Sequence, residues 1–165
     1  MSMTKIVAVT ENLKTKVQDL LMQTDRLRAI YADEKLMMEQ SGLTQEQLDT
    51  LAKIPEMDKK ILTRKYAKEL LTQFEGNDAY PMYVLGKAFL KMVDLNDFFI
   101  LNALSPAGMY LRKSQKKESR LCTLDLLIQV NREYYKIGHS ESDLKITNGY
   151  IPDFNSRFSK ISSHS

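Results

Sequence analysis

The sequence predicts a mainly α-helical protein, a single compact bundle of about six or seven helices that ends in a small β-hairpin or an irregular tail. Three observations support this prediction. The length of 165 residues suits one domain with one substantial core. Only 6 Gly and 4 Pro interrupt the chain, and the straight-chain residues that lose little rotamer freedom in a helix are common. Apolar residues also recur at steps of three and four.

The first predicted helix carries an apolar seam on one face. Its members alternate steps of four and three residues: Leu13, Val17, Leu20, Thr24, Leu27 and Tyr31. The seam suits either a coiled coil with another helix or packing on the rest of this domain, and its short length favours the second. A break near Asp33 is also consistent with the sequence, because Asp33 can cap a following short helix.

The stretch MEQSGLTQEQLD, residues 38–49, has the residues of a helix end followed by a helix start. Gly42 suits a left-handed C-cap, and Thr44 with Gln47 three residues later forms a capping box. Leu43 and Leu48 occupy the positions of a hydrophobic staple. The stretch therefore predicts a hinge between two helices rather than a functional signature.

The middle of the chain predicts further helices separated by turn residues. Pro55 ends the short helix after the hinge, and a longer helix is expected over residues 56–74. Pro81 suits the first turn of the next helix, and Ser105-Pro106 repeats this pattern later. Residues 119–137 are apolar nearly all round, which is typical of a helix at the centre of a bundle.

The end of the chain has a different character. Asn148-Gly149 lies between apolar residues, which is a strong signal for a hairpin turn, so residues 144–151 are expected to form a two-stranded ribbon or a loop with a tight turn. From Asn155 the chain is rich in Ser. The predicted organisation is therefore a helical domain over residues 1–154 and a flexible tail over residues 155–165.

The residues that commonly perform catalysis are scarce. His139 and His164 are the only histidines, and neither has a companion ligand at metal-binding spacing. The single cysteine, Cys122, lies in an apolar run and is expected to be a buried, inert thiol. No phosphate-binding glycine loop or nucleophile elbow occurs. We therefore expect no enzyme activity, cofactor or metal, and we expect Asp125 in the apolar helix to find an Arg, Lys or Tyr partner.

The charge is too balanced to predict nucleic-acid binding by itself, because 24 basic and 21 acidic residues leave a net charge of +3. One dense basic run spans residues 112–120, and its cations are Arg112, Lys113, Lys116, Lys117 and Arg120. A solvated helix end is the preferred interpretation, and an anionic partner is the alternative. No apolar run is long enough for a signal-peptide core or a membrane span, so we expect a soluble cytoplasmic protein without a membrane partner.

Tyrosine and arginine, which are enriched at interface anchors, meet near the end of the apolar helix. The candidate partner-binding residues there are Arg132, Tyr134 and Tyr135. The open edge of the expected ribbon supplies the others, Lys145, Ile146 and Tyr150. A simpler interpretation places the two tyrosines on the bundle surface with their hydroxyl groups in water.

Two stretches resemble known helical modules. The run LRAIYADEKLMMEQSGLTQEQLDTL resembles the small helical domains of split borosin precursors and of the small LigA-type subunit of ring-opening dioxygenases. The shared features there are Tyr31, Met38, Gly42-Leu43-Thr44 and Glu46-Gln47. The run from Thr63 to Gly108 is similar to the helical partner proteins of multinuclear non-heme iron oxygenases, including the partner in methanobactin biosynthesis. The shared features of the second run are Arg64, Tyr66, Tyr80-Pro81, Gly86, Phe89, Phe98-Phe99 and Pro106.

These resemblances imply a helical, non-catalytic module that binds a maturation enzyme or its precursor peptide in the biosynthesis of a ribosomal peptide natural product. The expected function is accordingly that of an adaptor or partner subunit which binds another protein or a peptide. The alternative is a small nucleic-acid-binding regulator that uses the basic run 112–120.

Overall fold

The computed structural model of the protein describes the backbone of residues 3–93, 100–138 and 141–162, and side chains within 6–93, 101–138 and 149–161. These ranges contain seven α-helices, two short 3₁₀ helices and no strand, so the predicted mainly helical fold is confirmed. The helices are α1 (Met3–Glu39), α2 (Gln45–Ala52), α3 (Arg64–Leu71), α4 (Ala79–Val93), α5 (Ile100–Lys117), α6 (Leu121–Gly138) and α7 (Glu141–Ser162). The 3₁₀ helices are Ile54–Glu56 and Thr72–Phe74.

Helix α6 lies at the centre of the bundle, as its apolar sequence predicts. It contacts α1, α4, α5 and α7. Between Leu121 and Asn131, only Asp125 and Gln129 are not buried. The other large contact joins α4 to α5, which approach closely at Gly86, where an added Cβ atom would lie 2.6 Å from Cγ of Leu111. A substantial apolar core therefore forms without any contribution from the first part of α1.

The hinge between α1 and α2 has the predicted structure. Gly42 has a φ of +73°, which is the left-handed region that favours glycine. The backbone N–H of Gln47 donates to the Thr44 hydroxyl at 3.2 Å, and the Thr44 N–H donates to Oε1 of Gln47 at 3.0 Å. Both halves of the capping box are thus present, and local hydrogen bonding accounts for the stretch.

Several predicted helix boundaries are wrong. Helix α1 continues through Asp33 without a break. Helix α3 begins at Arg64 rather than Glu56, because the Thr63 hydroxyl accepts a hydrogen bond from the N–H of Tyr66 at 3.1 Å and caps the helix there. Pro106 lies inside α5 rather than at its start. Its missing N–H leaves one intrahelical hydrogen bond unmade, and the buried neighbours Leu104, Ala107 and Leu111 stabilise the helix around it.

The predicted C-terminal hairpin is also wrong, because residues 144–151 belong to α7. That helix includes residues 155–162 as well, which the sequence assigned to a tail. The physical reason is tertiary packing. Ile151, Phe154 and Phe158, spaced by three and four residues, contact the core, and Phe154 is only 1% exposed. This burial outweighs the local turn preference of Asn148-Gly149.

Replacing Gly149 with Ala is expected to stabilise the protein by about 1 kcal/mol, because a helical glycine has a high backbone entropy cost. Gly149 lies inside α7, and an added Cβ atom would meet nothing within 4 Å. Urea unfolding followed by circular dichroism measures the change. Gly42→Ala is the control and should destabilise, since Gly42 has a positive φ. A loss of stability in Gly149→Ala would instead favour the turn.

Candidate protein-binding site

The first part of α1 extends away from the bundle. Every residue from 6 to 25 is exposed, although many of them are large and apolar. Leu13, Leu20 and Tyr31 are 57%, 61% and 61% exposed. Because monomeric proteins rarely leave a long contiguous apolar face in water, this stretch is the strongest candidate for an interaction site. The expectation that the seam packs on the rest of the domain is therefore wrong.

The exposed face follows the heptad spacing of a coiled coil. The d positions from residue 6 to residue 27 hold Ile or Leu, namely Ile6, Leu13, Leu20 and Leu27. The a positions alternate with them and are Thr10, Val17, Thr24 and Tyr31. The hydroxyls of Thr10 and Thr24 each donate to the carbonyl four residues earlier at 2.9 Å. Their donors are therefore satisfied, which lowers the cost of burying them. We call residues 6–31 with this pattern the α1 seam.

The last third of α1 holds the helix on the bundle through a different face. Ile30 and Met37 are buried in the core. Oδ2 of Asp33 accepts from the backbone N–H of Cys122 at 3.0 Å, and its Oδ1 lies 3.4 Å from Nη1 of Arg120. Asp33 therefore caps the first turn of α6. This contact replaces the predicted role of Asp33 as the cap of a separate helix.

Arg26 joins α1 to both α6 and α7. Its Nη2 atom lies 3.4 Å from Oδ1 of Asp125, and its guanidinium lies 4.0 Å from the centre of the Phe154 ring. Gln129 also donates to Oδ2 of Asp125 at 2.9 Å. The prediction that Asp125 finds a basic partner is thus confirmed. The pairing gives this carboxylate a structural role.

Glu34 fixes α1 against α4. Its Oε2 atom accepts from the Tyr83 hydroxyl at 2.5 Å and from Nζ of Lys87 at 2.6 Å. Burial raises the pKa of Tyr83 well above its ordinary value, and the nearby Cys122 and Glu34 raise it further. Glu34 also occupies the d position after Leu27, so the α1 seam ends at Tyr31.

The structure describes the side chains of four of the six partner-binding residues predicted from sequence. Arg132 and Tyr135 are exposed at the end of α6, while Tyr134 and Tyr150 are half-buried against the core. Lys145 and Ile146 belong to α7, but their side chains lie outside the described residues. Phe98-Phe99, His139 and His164 also lie outside them.

The basic run is divided between two environments. Lys117 forms an ion pair with Asp78. Nη2 of Arg120 lies 2.6 Å from Oε1 of Glu118 and donates to Oε1 of Gln40 at 2.7 Å. The Arg120 side chain is only 13% exposed. The three remaining cations, Arg112, Lys113 and Lys116, are exposed on α5. Internal pairing of Lys117 and Arg120 weakens the run as a surface for anionic partners.

The Cys122 thiol is buried, as predicted. Burial raises its pKa from 9.0 to about 12, with a further contribution from Asp33. An unfolded thiol ionises near pH 9, so the unfolded state loses its proton first. Stability from this group is therefore complete below about pH 9 and falls as the pH rises toward about 12.

We accordingly expect the urea midpoint of the protein to fall between pH 8 and pH 10.5, and the fall to be smaller in Cys122→Ala. Buried Tyr83 also contributes to the alkaline loss, because its pKa is raised. Unfolding at the two pH values measures both slopes. An equal fall of the urea midpoint in wild type and variant would show that the thiol does not contribute to the loss of stability at alkaline pH.

A concave feature lies between the start of α3 and helices α4 and α5. It is a cavity of about 480 Å³ with an apolar floor that includes Leu62, Phe89 and Met92, and Lys59, Lys60 and Arg64 also line it. None of the predicted partner-binding residues whose side chains are described lines it. Among the described side chains, no three His, Cys, Asp or Glu residues are grouped to hold a metal ion.

Within the described residues, no helix combines the length and apolar character that a membrane span requires.

The chain matches no protein-family model, and comparisons with curated proteins and with solved structures give no match. The α1 seam therefore stands on its own geometry as the candidate site. Its spacing was visible in the sequence, but its exposure was not.

Proposed function

We propose that this protein is a non-enzymatic partner subunit that binds a helical segment of another protein or peptide along the α1 seam. The observation that carries the proposal is the exposure of heptad-spaced apolar residues, including Leu13 and Leu20, on a helix whose far end is fixed in the core. The two resemblances to partners of peptide-maturation enzymes agree with this role. They suggest such an enzyme, or its precursor peptide, as the partner.

The geometry explains why the bundle cannot cover the seam itself. Arg26 and Asp33 at c positions, and Ile30 and Met37 at g positions, face the bundle. The centre of the a and d positions in residues 6–31 lies about 110° away around the helix axis, since successive residues turn by about 100°. The seam can therefore be covered only by a segment outside the described fold.

The energetics favour a binding role. Complete burial of a leucine-sized side chain contributes about 1.5–3 kcal/mol, so each half-exposed d residue still has about 1 kcal/mol to gain. Four such residues along about four heptads match the short helix-in-groove and coiled-coil modes of recognition. Since association itself has an entropy cost, we expect the affinity to depend on the whole seam rather than on one residue.

A photo-cross-linking amino acid at position 20 tests the proposal in cells that express the protein. We expect covalent products whose partner peptide maps to an amphipathic helix. The same amino acid at position 22 is the matched control, because Met22 is also exposed and apolar but lies at an f position. Products from position 22 alone, or from neither position, would contradict the proposal.

The alternative role in nucleic-acid binding makes a different prediction. Retention on DNA would weaken steeply with salt and would depend on Arg112, Lys113 and Lys116. Such retention, together with no cross-linking at position 20, would favour that alternative.

A further inference from the structure

The edges of the α1 seam carry a charge pattern that points to a class of partner. In a coiled coil, residues at e and g flank the apolar seam and set the choice of partner. From residue 7 to residue 28 these positions hold Val7, Val9, Lys14, Lys16, Leu21, Gln23 and Arg28. The flanks thus hold three cations and no acid. All seven residues are exposed.

The acidic residues of the same stretch are placed away from the seam. Glu11 and Asp25 lie at b positions, and Asp19 lies at a c position. Glu11 lies 3.8 Å from Nζ of Lys14, and both side chains are mostly exposed. A contact of this kind contributes little and leaves Lys14 able to pair with a partner.

A second copy of this chain does not complement the flanks. In a parallel pair, Lys16 would face Leu21 of the other helix, and Gln23 would face Arg28. In the antiparallel register centred on residue 15, Lys14 would face Lys14, and Lys16 would face Lys16. When the centre of the antiparallel pair is moved by half a heptad toward the C-terminal end, Lys16 faces Gln23 of the other helix. None of these arrangements brings a carboxylate to Lys14, Lys16 or Arg28.

We propose that the segment bound by the α1 seam is an amphipathic helix with an apolar seam and with Glu or Asp at its e and g positions. This inference rests on the proposed function and specifies its partner class. Acidic flanks would give each of the three cations a carboxylate, whereas basic flanks would place like charges together. Pairs at an exposed edge mainly determine which partner is chosen.

Two synthetic peptides of about four heptads test the inference. They share Ile at a and Leu at d, and they differ only at e and g, where one carries Glu and the other Lys. Fluorescence anisotropy with the full chain measures the affinity of each at low and at high salt. At low salt we expect the Glu peptide to bind at least about tenfold tighter, and high salt should reduce the difference.

Three variants of the full chain complete the experiment. Lys14→Glu/Lys16→Glu/Arg28→Glu should reverse the preference, because acids then replace all three flanking cations, and each of these side chains is exposed. Arg112→Glu/Lys113→Glu/Lys116→Glu makes the same change in net charge on α5 and should leave the preference intact. Leu13→Gln/Leu20→Gln should bind neither peptide. Circular dichroism verifies that each variant is folded.

The outcomes separate the inference from the proposed function. Equal affinity for both peptides, abolished in the leucine variant, would overturn the charge inference and keep helix binding at the seam. Loss of the preference in the α5 variant would also overturn it, because the basic run would then be the site of attraction. A dimer of the chain alone, lost in Leu13→Gln/Leu20→Gln, would show that a second copy covers the seam. Binding of neither peptide by the wild type would overturn the inference, and the cross-linking at position 20 would then decide the proposed function.

Discussion

Phe154→Ala is expected to lower the free energy of unfolding by about 3–5 kcal/mol, which would be among the largest losses from a single substitution in this protein. The Phe154 ring is 1% exposed and anchors α7 in the core. It also stacks with Phe158 at a centroid distance of 6.3 Å and receives the Arg26 guanidinium on its face. Truncation removes these contacts together and leaves a cavity that the surrounding helices cannot fill.

Urea unfolding followed by circular dichroism measures this loss. Ile161→Ala is the matched control, because Ile161 belongs to the same helix but is 46% exposed, and it should cost less than about 1 kcal/mol. A double-mutant cycle with Arg26→Ala then isolates the contact between the guanidinium and the ring. A cost for Phe154→Ala no greater than that of the control would mean that α7 does not pack on α6 as described.

Asp33→Ala is expected to cost about 2–3 kcal/mol, for two separate reasons. It removes the acceptor for the N–H of Cys122 at the start of α6, and loss of a helix cap costs about 1 kcal/mol. It also removes a carboxylate from the mostly buried Arg120, which retains Glu118 and Gln40 as partners. The two effects should add, since the two carboxylate oxygens serve different groups.

Chemical unfolding of Asp33→Ala, Arg120→Ala and the double variant distinguishes the two contributions. We expect the double variant to be less destabilised than the sum of the two single variants. Each single variant loses the ion pair between Asp33 and Arg120, so the sum counts that pair twice, whereas the double variant loses it once. Asp25→Ala is the control, since Asp25 is an exposed acid on the same helix. An effect of Asp33→Ala as small as that of Asp25→Ala would show that Asp33 does not cap α6.

The parts of the fold that were predictable from sequence depend on local interactions. Thr44 and Gln47 satisfy each other's backbone within one turn, so their capping box is visible in four consecutive residues. The all-round apolar character of α6 likewise requires burial wherever the helix lies. The pairing of Asp125 was predictable for a related reason, because a charged side chain in such an apolar helix must find a partner.

The errors have the opposite cause, namely contacts between residues far apart in the chain. Asn148-Gly149 has a strong local preference for a turn, but Phe154 and Phe158 gain more by packing on α6 as part of a helix. Their spacing of four residues, together with Ile151, was a signal that favoured the helix. At Asp33, the partner that decides its role is the first turn of α6.

The candidate site could likewise be predicted from the sequence only in part. Its heptad spacing and its flanking cations can be found in the sequence. What the sequence could not give is which face of α1 meets the bundle, because that face mixes Arg26, Ile30, Asp33 and Met37. Without knowing which face of α1 meets the bundle, packing on the same domain was the simpler expectation for Leu13 and Leu20.

The continuity of α1 has a mechanical consequence. The exposed part of this helix, residues 6–25, is about 30 Å long and joins the bundle at its C-terminal end. A partner bound near Ile6 stands farther from the bundle than one bound near Leu27, by about 1.5 Å for each residue between them. The direction in which such a partner points changes little along the seam, because a heptad-spaced stripe drifts by only about 20° for every seven residues. The length of α1 would therefore set the reach of a partner bound at the α1 seam, and the face that carries the seam would set its orientation.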